Sequence, residues 1–320
     1  MNKFNILITS VGRRVSLVSN FKLKLKKFFP QAKVFTTDIN PEYSAACSIA
    51  DRSFKTPNSL SDNYIDTLKK IINDNDIGMV VPLNDNDLIQ LSENTLIFEN
   101  LGAKVIISSK DLINLCRDKR KTKFLCSKYG LKYPKIFNSS DVDFPCFSKP
   151  YNGSSSKDIY VIRNIEELKI VSSDKPNNIF MEYIRGTYIE YTCDLYFDKN
   201  SKLKCIVPRE RLQTRAGEVS KGITRKNFIC DQLFDKLSIL IGAKGCITLQ
   251  CFANLDSQEL IIIEINPRFG GGIPLTLKSG AEYIEWIIME YFLNQEIDFF
   301  DNWTNDLLML RYDENIFKKL

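Results

Sequence analysis

A carboxylate set inside an apolar run costs free energy unless a cation meets it. The stretch "IIIEINPRFGGG" (261–272) holds one at Glu264, with Asn266 two residues further on. Residues i and i+2 of a strand share a face, so both side chains point the same way. The preceding segment, "GCITLQCFANLDSQEL", completes a hairpin. If its loop holds an odd number of residues, Gln250 faces Glu264 and Asn266 lies diagonal to both. Three oxygen donors with a single carboxylate suit Mg²⁺, whose other positions go to phosphate and water. An exposed sheet face fits poorly, because Ile261, Ile262, Ile263 and Ile265 surround Glu264.

Other stretches offer chemistry that matches a phosphate. Lys149 ends an expected strand, and "PYNGSSSK" follows it. Gly153 with Ser154, Ser155 and Ser156 would let backbone N–H groups approach phosphate closely, while Lys149 supplies a point charge. A plain hairpin loop also accounts for that composition. In "MEYIRG" (181–186), the backbone of Glu182 and Ile184 is placed to meet an adenine edge, or is simply strand. The run "PRERLQTRAGEVSKG" gathers Arg209, Arg211, Arg215 and Lys221 around Gly217, which suits an anionic substrate or intermediate. The turn "TSVGRR" (9–14) lacks the G-x-G-x-x-G pattern but opens a helix beside Arg13 and Arg14, a setting for a substrate anion. Asp38 reads as a turn residue or a ribose contact.

The chain has no histidine, which excludes Ser-His and Cys-His nucleophiles and histidine-ligated metals. Nine cysteines, with no C-x-x-C pair, read as reduced core thiols. A net charge of +5 is too diluted over 320 residues to point to nucleic acid. No signal peptide and no run of 18 apolar residues appear, so neither membrane nor nucleic acid is expected as a partner and the expected location is the cytoplasm.

The elements that position these residues follow from periodicity. Strands are expected at 4–9, 33–38, 77–83 and 104–108, alternating with helices at 14–29, through Ala45 and Ala46, at 62–76 and at 86–102. That alternation gives a parallel sheet covered on both faces. From residue 109 it lapses: two helical pieces lead to strands around 144–162, a charged helix over 164–172, and strand-rich segments over 177–198 and 202–224. A helix over 230–243, the hairpin and a closing helix over 281–296 follow. This second half is α+β.

Lys119, "FSKPYNGSSSK", "MEYIRG", Gln250 and "EINPRFGGG" occur in an order and spacing that resemble the ATP-grasp superfamily over nearly the whole chain. The chain is most similar to stand-alone proteins like one ATP-binding half of the carbamoyl phosphate synthetase large subunit. The resemblance implies an α/β Rossmann-like pre-ATP-grasp domain (1–108) and an α+β ATP-grasp domain (109–297). A lid subdomain would span about 120–184, and a C-terminal extension 298–320. It further implies ATP with one or two Mg²⁺ ions, or Mn²⁺. Lys119 and Lys149 would meet the phosphates under the loop from Gly153, Glu182 and Ile184 the adenine, and Glu190 the ribose. Gln250, Glu264 and Asn266 would hold metal. Arg268, Arg215 and Lys221 are the expected catalytic residues, and Arg13, Arg209, Arg211 and Glu218 the expected substrate contacts, with Arg14 and Asp85 as further selectors. Two departures from the family pattern stand out: a longer spacer between Gly186 and Glu190, and Gln250 where many relatives carry Glu. The implied activity is an ADP-forming ligase that activates a carboxylate as an acyl phosphate for attack by an amine or ammonia. The alternatives are a kinase-like release of acyl or carbamoyl phosphate, and a non-catalytic ATP-binding module. A homodimer is compatible with the likeness.

Overall fold

The computed structural model describes residues 3–138, 141–153, 158–215 and 217–319. The first part runs β1 (Asn5–Thr9), α1 (Val15–Phe28), β2 (Val34–Asp38), α2 (Ala45–Ile49), β3 (Arg52–Lys55), α3 (Tyr64–Asp74), β4 (Ile77–Pro82), α4 (Asp85–Glu93), α5 (Thr95–Asn100) and β5 (Lys104–Val105). Its five strands are parallel in the order β3-β2-β1-β4-β5, which places the chain's switch point at the ends of β1 and β4. Apolar residues on both faces of β1 and β4 allow helices on either side. Helix α1 turns Leu17, Val18, Phe21 and Leu25 inward at helical spacing.

Two expectations give way here. The polar edge strand β3 carries no alternation that would announce it. The single helix expected over 86–102 breaks at Asn94, whose side-chain amide donates to Gln90 O and competes with the helical ladder.

The chain continues through α6 (Lys110–Arg117), α7 (Lys119–Lys128), β6 (Ile136–Phe137), β7 (Cys146–Pro150), β8 (Tyr160–Ile162), α8 (Ile165–Asp174) and β9 (Asn178–Glu182). These strands form a small antiparallel sheet in the order β6-β9-β7-β8. Next come β10 (Tyr188–Phe197), β11 (Leu203–Arg215), β12 (Glu218–Thr224), α9 (Phe228–Leu237), β13 (Gly245–Asn254), β14 (Glu259–Asn266), α10 (Ile273–Lys278), α11 (Tyr283–Phe292) and β15 (Leu308–Leu310). They build the six-stranded antiparallel sheet β14-β13-β10-β11-β12-β15. The segment expected as a C-terminal extension therefore supplies an edge strand of this sheet. Helix α9 stops at Leu237 rather than near 243, because Ser238 O accepts from Leu203 N and Ile239 bridges to Lys202.

The parallel sheet and the large antiparallel sheet share one core. Ile6, Ile8, Leu17 and Phe21 pack in the same cluster as Tyr196, Val207, Phe269, Ile284 and Ile287. That shared burial fixes the β1–α1 turn against the "NPRFGGG" segment, and a cleft opens where the three sheets meet.

Candidate active site

The cleft has a volume of about 680 Å³ and is lined from all three sheets. In the β13–β14 hairpin, Gln250 pairs with Glu264 and Thr248 with Asn266, so the three oxygen-bearing side chains share one face. The cation beside Glu264 is Lys119, whose Nζ lies 3.8 Å from Glu264 Oε1 and donates to Gly153 O at 2.8 Å. Lys119 opens α7, whose cap is the Asp118 side chain. Lys149, the last residue but one of β7, donates to Ile263 O at 3.3 Å. Burial pushes its pKa down from 10.5 to about 8; Glu264 works against that shift and Lys119 adds to it. Two lysines crowded behind one carboxylate form a pocket of unspent positive charge that suits polyphosphate.

The donor set fits a hard divalent cation. Glu264, Asn266 and Gln250 offer only oxygen ligands, and among the described residues no cluster of three acidic, cysteine or histidine side chains exists to cage a metal by protein alone.

Apolar side chains also line the cleft and offer a slot for a planar group: Phe147, Met181, Phe252, Ile263, Pro134 and Ile184. Phe147 and Phe252 stand two residues from Lys149 and Gln250. Strand alternation would have found both, and the sequence reading passed over them. The Glu182 N–H is already engaged, donating to Lys135 O at 2.8 Å, and the Glu182 carboxylate accepts from Lys135 N. A planar base in this slot would therefore meet the backbone beyond Glu182. Glu190 is partly buried, which raises its pKa, and Arg211 and Glu264 act on it in opposite directions. Its Oε1 lies 3.1 Å from Arg211 Nε in an ion pair whose angle falls short of a hydrogen bond.

The cleft is also rich in arginine. Arg268 makes a two-pronged bond to Asp85, Nε to Oδ1 at 2.7 Å and Nη2 to Oδ2 at 2.8 Å. Burial opposes the charge on Arg268, but Asp85 more than offsets it and the pKa is raised; Asp85 is correspondingly lowered. Arg209, expected to meet substrate, is 1% exposed and its Nε donates to Asp194 Oδ2 at 2.9 Å. Asp194 is wholly buried and also accepts from Thr248 and Thr276. Arg211 reaches Thr192 Oγ1 and Gly217 O besides Glu190. Glu218 gathers Arg13, Arg14 and Arg311. The β1–α1 turn that presents Arg13 and Arg14 is held by Asp38, which accepts from Gly12 N, and by the buried Asp87, which accepts from Thr9 and Ser10. Asp38 is thus a turn residue.

The three glycines make room for neighbouring side chains. A Cβ at Gly270 would meet Thr248 Cγ2 at 2.8 Å, one at Gly271 would meet Arg14 Nη1 at 2.8 Å, and one at Gly272 would meet Arg209 Nη1 at 2.0 Å. Backbone without side chains is required so that two guanidinium groups can lie against it.

The cleft thus brings together Lys119, Lys149, Gly153, Glu182, Ile184, Glu190, Gln250, Glu264, Asn266 and Arg268 with Arg13, Arg209, Arg211 and Glu218. Ser154, Ser155 and Ser156 fall outside the described residues. Arg215 and Lys221 do not join the set. Arg215 is exposed and its guanidinium pairs with Asp313, and Lys221 is exposed on β12. Simple alternation would put Arg215 on the face of Arg209 and Arg211, but the β11–β12 register shifts on both sides of Gln213 and breaks that phase.

Residues 6–106 match the family described as "PylC-like, N-terminal domain", and residues 174–311 the one described as "ATP-grasp in the biosynthetic pathway with Ter operon". Over residues 174–311 the chain is thus similar to ATP-grasp proteins. The chain is 25% identical over 273 residues to the carbamoyl phosphate synthase large chain of Clostridium botulinum (strain Alaska E43 / Type E3), covering 77% of itself and 24% of that relative. The large chain of Campylobacter jejuni subsp. jejuni serotype O:2 is 24% identical over 205 residues, covering 56% and 18%. The chain spans about a quarter or less of the length of these relatives. Among solved structures, the biotin carboxylase domain of Hydrogenobacter thermophilus 2-oxoglutarate carboxylase superposes with a TM-score of 0.72 at 14% identity, over 95% of this chain and 73% of that one. N5-carboxyaminoimidazole synthetase from Staphylococcus aureus gives 0.70 at 16%, over 94% and 80%. Both share the fold: a parallel-sheet N-terminal part and an antiparallel ATP-grasp part. No helix among the described residues is long and apolar enough to cross a membrane.

Proposed function

We propose that this chain is an ADP-forming ligase that activates a carboxylate as an acyl phosphate for attack by an amine or ammonia. The observation that carries this reading is the convergence of Lys119, Lys149, Gln250, Glu264, Asn266 and Arg268 on one cleft. In it, Lys119 and Lys149 take the phosphates of ATP, and the apolar slot beside Ile184 takes the purine. Glu190, which lines the same cleft, takes the ribose in this reading. Gln250, Glu264 and Asn266 would hold Mg²⁺, which when bound supplies positive charge among the phosphate oxygens. Arg268, locked in place by Asp85, offers a fixed cation to the transferred phosphoryl group, so little reorganisation is needed during transfer. A carboxylate oxygen attacks the γ-phosphorus and the bond to ADP breaks. The amine nitrogen then displaces inorganic phosphate. Positioning and charge neutralisation suffice, which agrees with a chain that has no histidine.

Arg215 and Lys221 take no part in this reading. A homodimer is included in it, because the carboxylase domain that shares the fold is described as a dimer.

The test is ADP release that requires both an acid and an amine. Glu264→Ala should abolish Mg·ATP turnover while the far-ultraviolet circular dichroism spectrum stays that of the wild type. Full activity in that variant sinks the metal assignment. Accumulation of a phosphorylated acid with no need for amine would favour the kinase-like chemistry instead.

A further inference from the structure

Five arginines line the cleft, and three are already neutralised. Arg209 is matched to Asp194, Arg211 to Glu190, and Arg268 to Asp85. Arg13 and Arg14 are not matched in this way. Together with Arg311 from the segment after β15, they share one carboxylate, Glu218, at 3.2, 3.7 and 2.8 Å respectively. Three positive charges thus stand against one negative charge. The contact of Arg14 is the slackest of the three, too long for a hydrogen bond. Its Nη1 is buried and has no hydrogen-bond partner among the described residues. A buried guanidinium nitrogen left in that condition is costly, and a second acceptor would relieve it.

The surroundings keep the site in shape. Gly271 has no Cβ to displace Arg14, Arg311 is tied through its backbone N–H to Ser220 O, and α1 begins at this wall with no side-chain cap on its first turn. Glu218 shows what species the nest accepts: its carboxylate oxygens occupy the place of an anion.

We propose that this part of the cleft is a second anion subsite, and that the acid activated here carries, besides its reacting carboxylate, a further carboxylate or phosphate bound by Arg14 and Arg13. The word "acid" rests on the ligase reading; the anion subsite itself does not. Arg311 acts through Glu218 as a positioning residue.

The experiment compares matched acids: butyrate against succinate, and glycerate against 3-phosphoglycerate. ADP release is followed with hydroxylamine as the amine, and binding of each acid is measured by calorimetry in the presence of Mg·ADP. The second anion should raise kcat/KM and tighten Kd at least about ten-fold, the gain expected from a charge-assisted hydrogen bond. Arg14→Met should erase that preference through KM with kcat nearly unchanged, and Arg14→Lys should restore part of it. Arg13→Ala, at an exposed side chain that folding does not need, should lose a smaller part. The succinate and phosphoglycerate arms tell a carboxylate from a phosphate. A binding preference without ADP release upholds the subsite and sinks the ligase reading. Turnover with no preference upholds the ligase and overturns the subsite, as does binding of neither member of either pair.

Discussion

Replacing Lys149 with methionine should make the protein more stable while destroying its hold on ATP. The lysine is 7% exposed, and its only hydrogen bond among the described residues is the long one to Ile263 O. Its pKa lies at about 8 instead of 10.5. Holding it charged at pH 7 therefore costs about 3 kcal/mol relative to the unfolded chain. The bond to Ile263 O returns at most about 1 kcal/mol, so Lys149→Met should gain about 2 kcal/mol.

The sign of the pH dependence follows from the direction of the shift. A lysine lowered in the folded state is a full penalty below the folded value, and the penalty fades as pH rises from about 8 towards 10.5. The stability gap between variant and wild type should thus be largest at pH 7 and close by pH 10.5. Urea titrations at several pH values measure it directly. Mg·ATP, which meets the ammonium with phosphate, should raise the melting temperature of the wild type and leave the variant unmoved. A variant that is less stable at pH 7, or a gap that does not narrow above pH 8, refutes the idea that burial is the dominant strain on this lysine.

Two further outcomes follow from the arginines. Arg209→Met leaves Asp194 buried with only threonine donors on its carboxylate and should cost about 3–5 kcal/mol by denaturant titration. Adding Asp194→Asn should recover much of it, and a purely additive double variant would deny the coupling. Gly271→Ala places a methyl 2.8 Å from Arg14 Nη1 and 2.9 Å from Glu218 Cδ, both ends of side chains that can move. It should leave nucleotide affinity intact and raise the KM for the acid several-fold, both measurable by calorimetry and ADP release.

The sequence alone determined what depends on local period. The parallel alternation before residue 108 is written in apolar spacing, but Gln250 faces Glu264 for a reason alternation does not carry: the hairpin loop between Asn254 and Glu259 has four residues, not the odd number expected, and a one-residue register shift between Gln250 and Cys251 restores the pairing. The order of Lys119, the loop after Lys149 and the hairpin carried the likeness to ATP-grasp proteins, a matter of motif order and not of period. Tertiary structure alone decided how the arginines are spent. Arg268 is bound by Asp85, 183 residues away, and Glu218 draws on Arg14 and Arg311 from nearly opposite ends of the chain. No spacing rule joins such partners, because charge pairing is settled by where folded elements meet. Irregular register around Gln213 likewise turned Arg215 out of the cleft, since a bulge reverses the phase on which alternation depends. The glycines carry the same lesson, since only the packed structure shows that the groups lying against them are Arg14, Arg209 and Thr248.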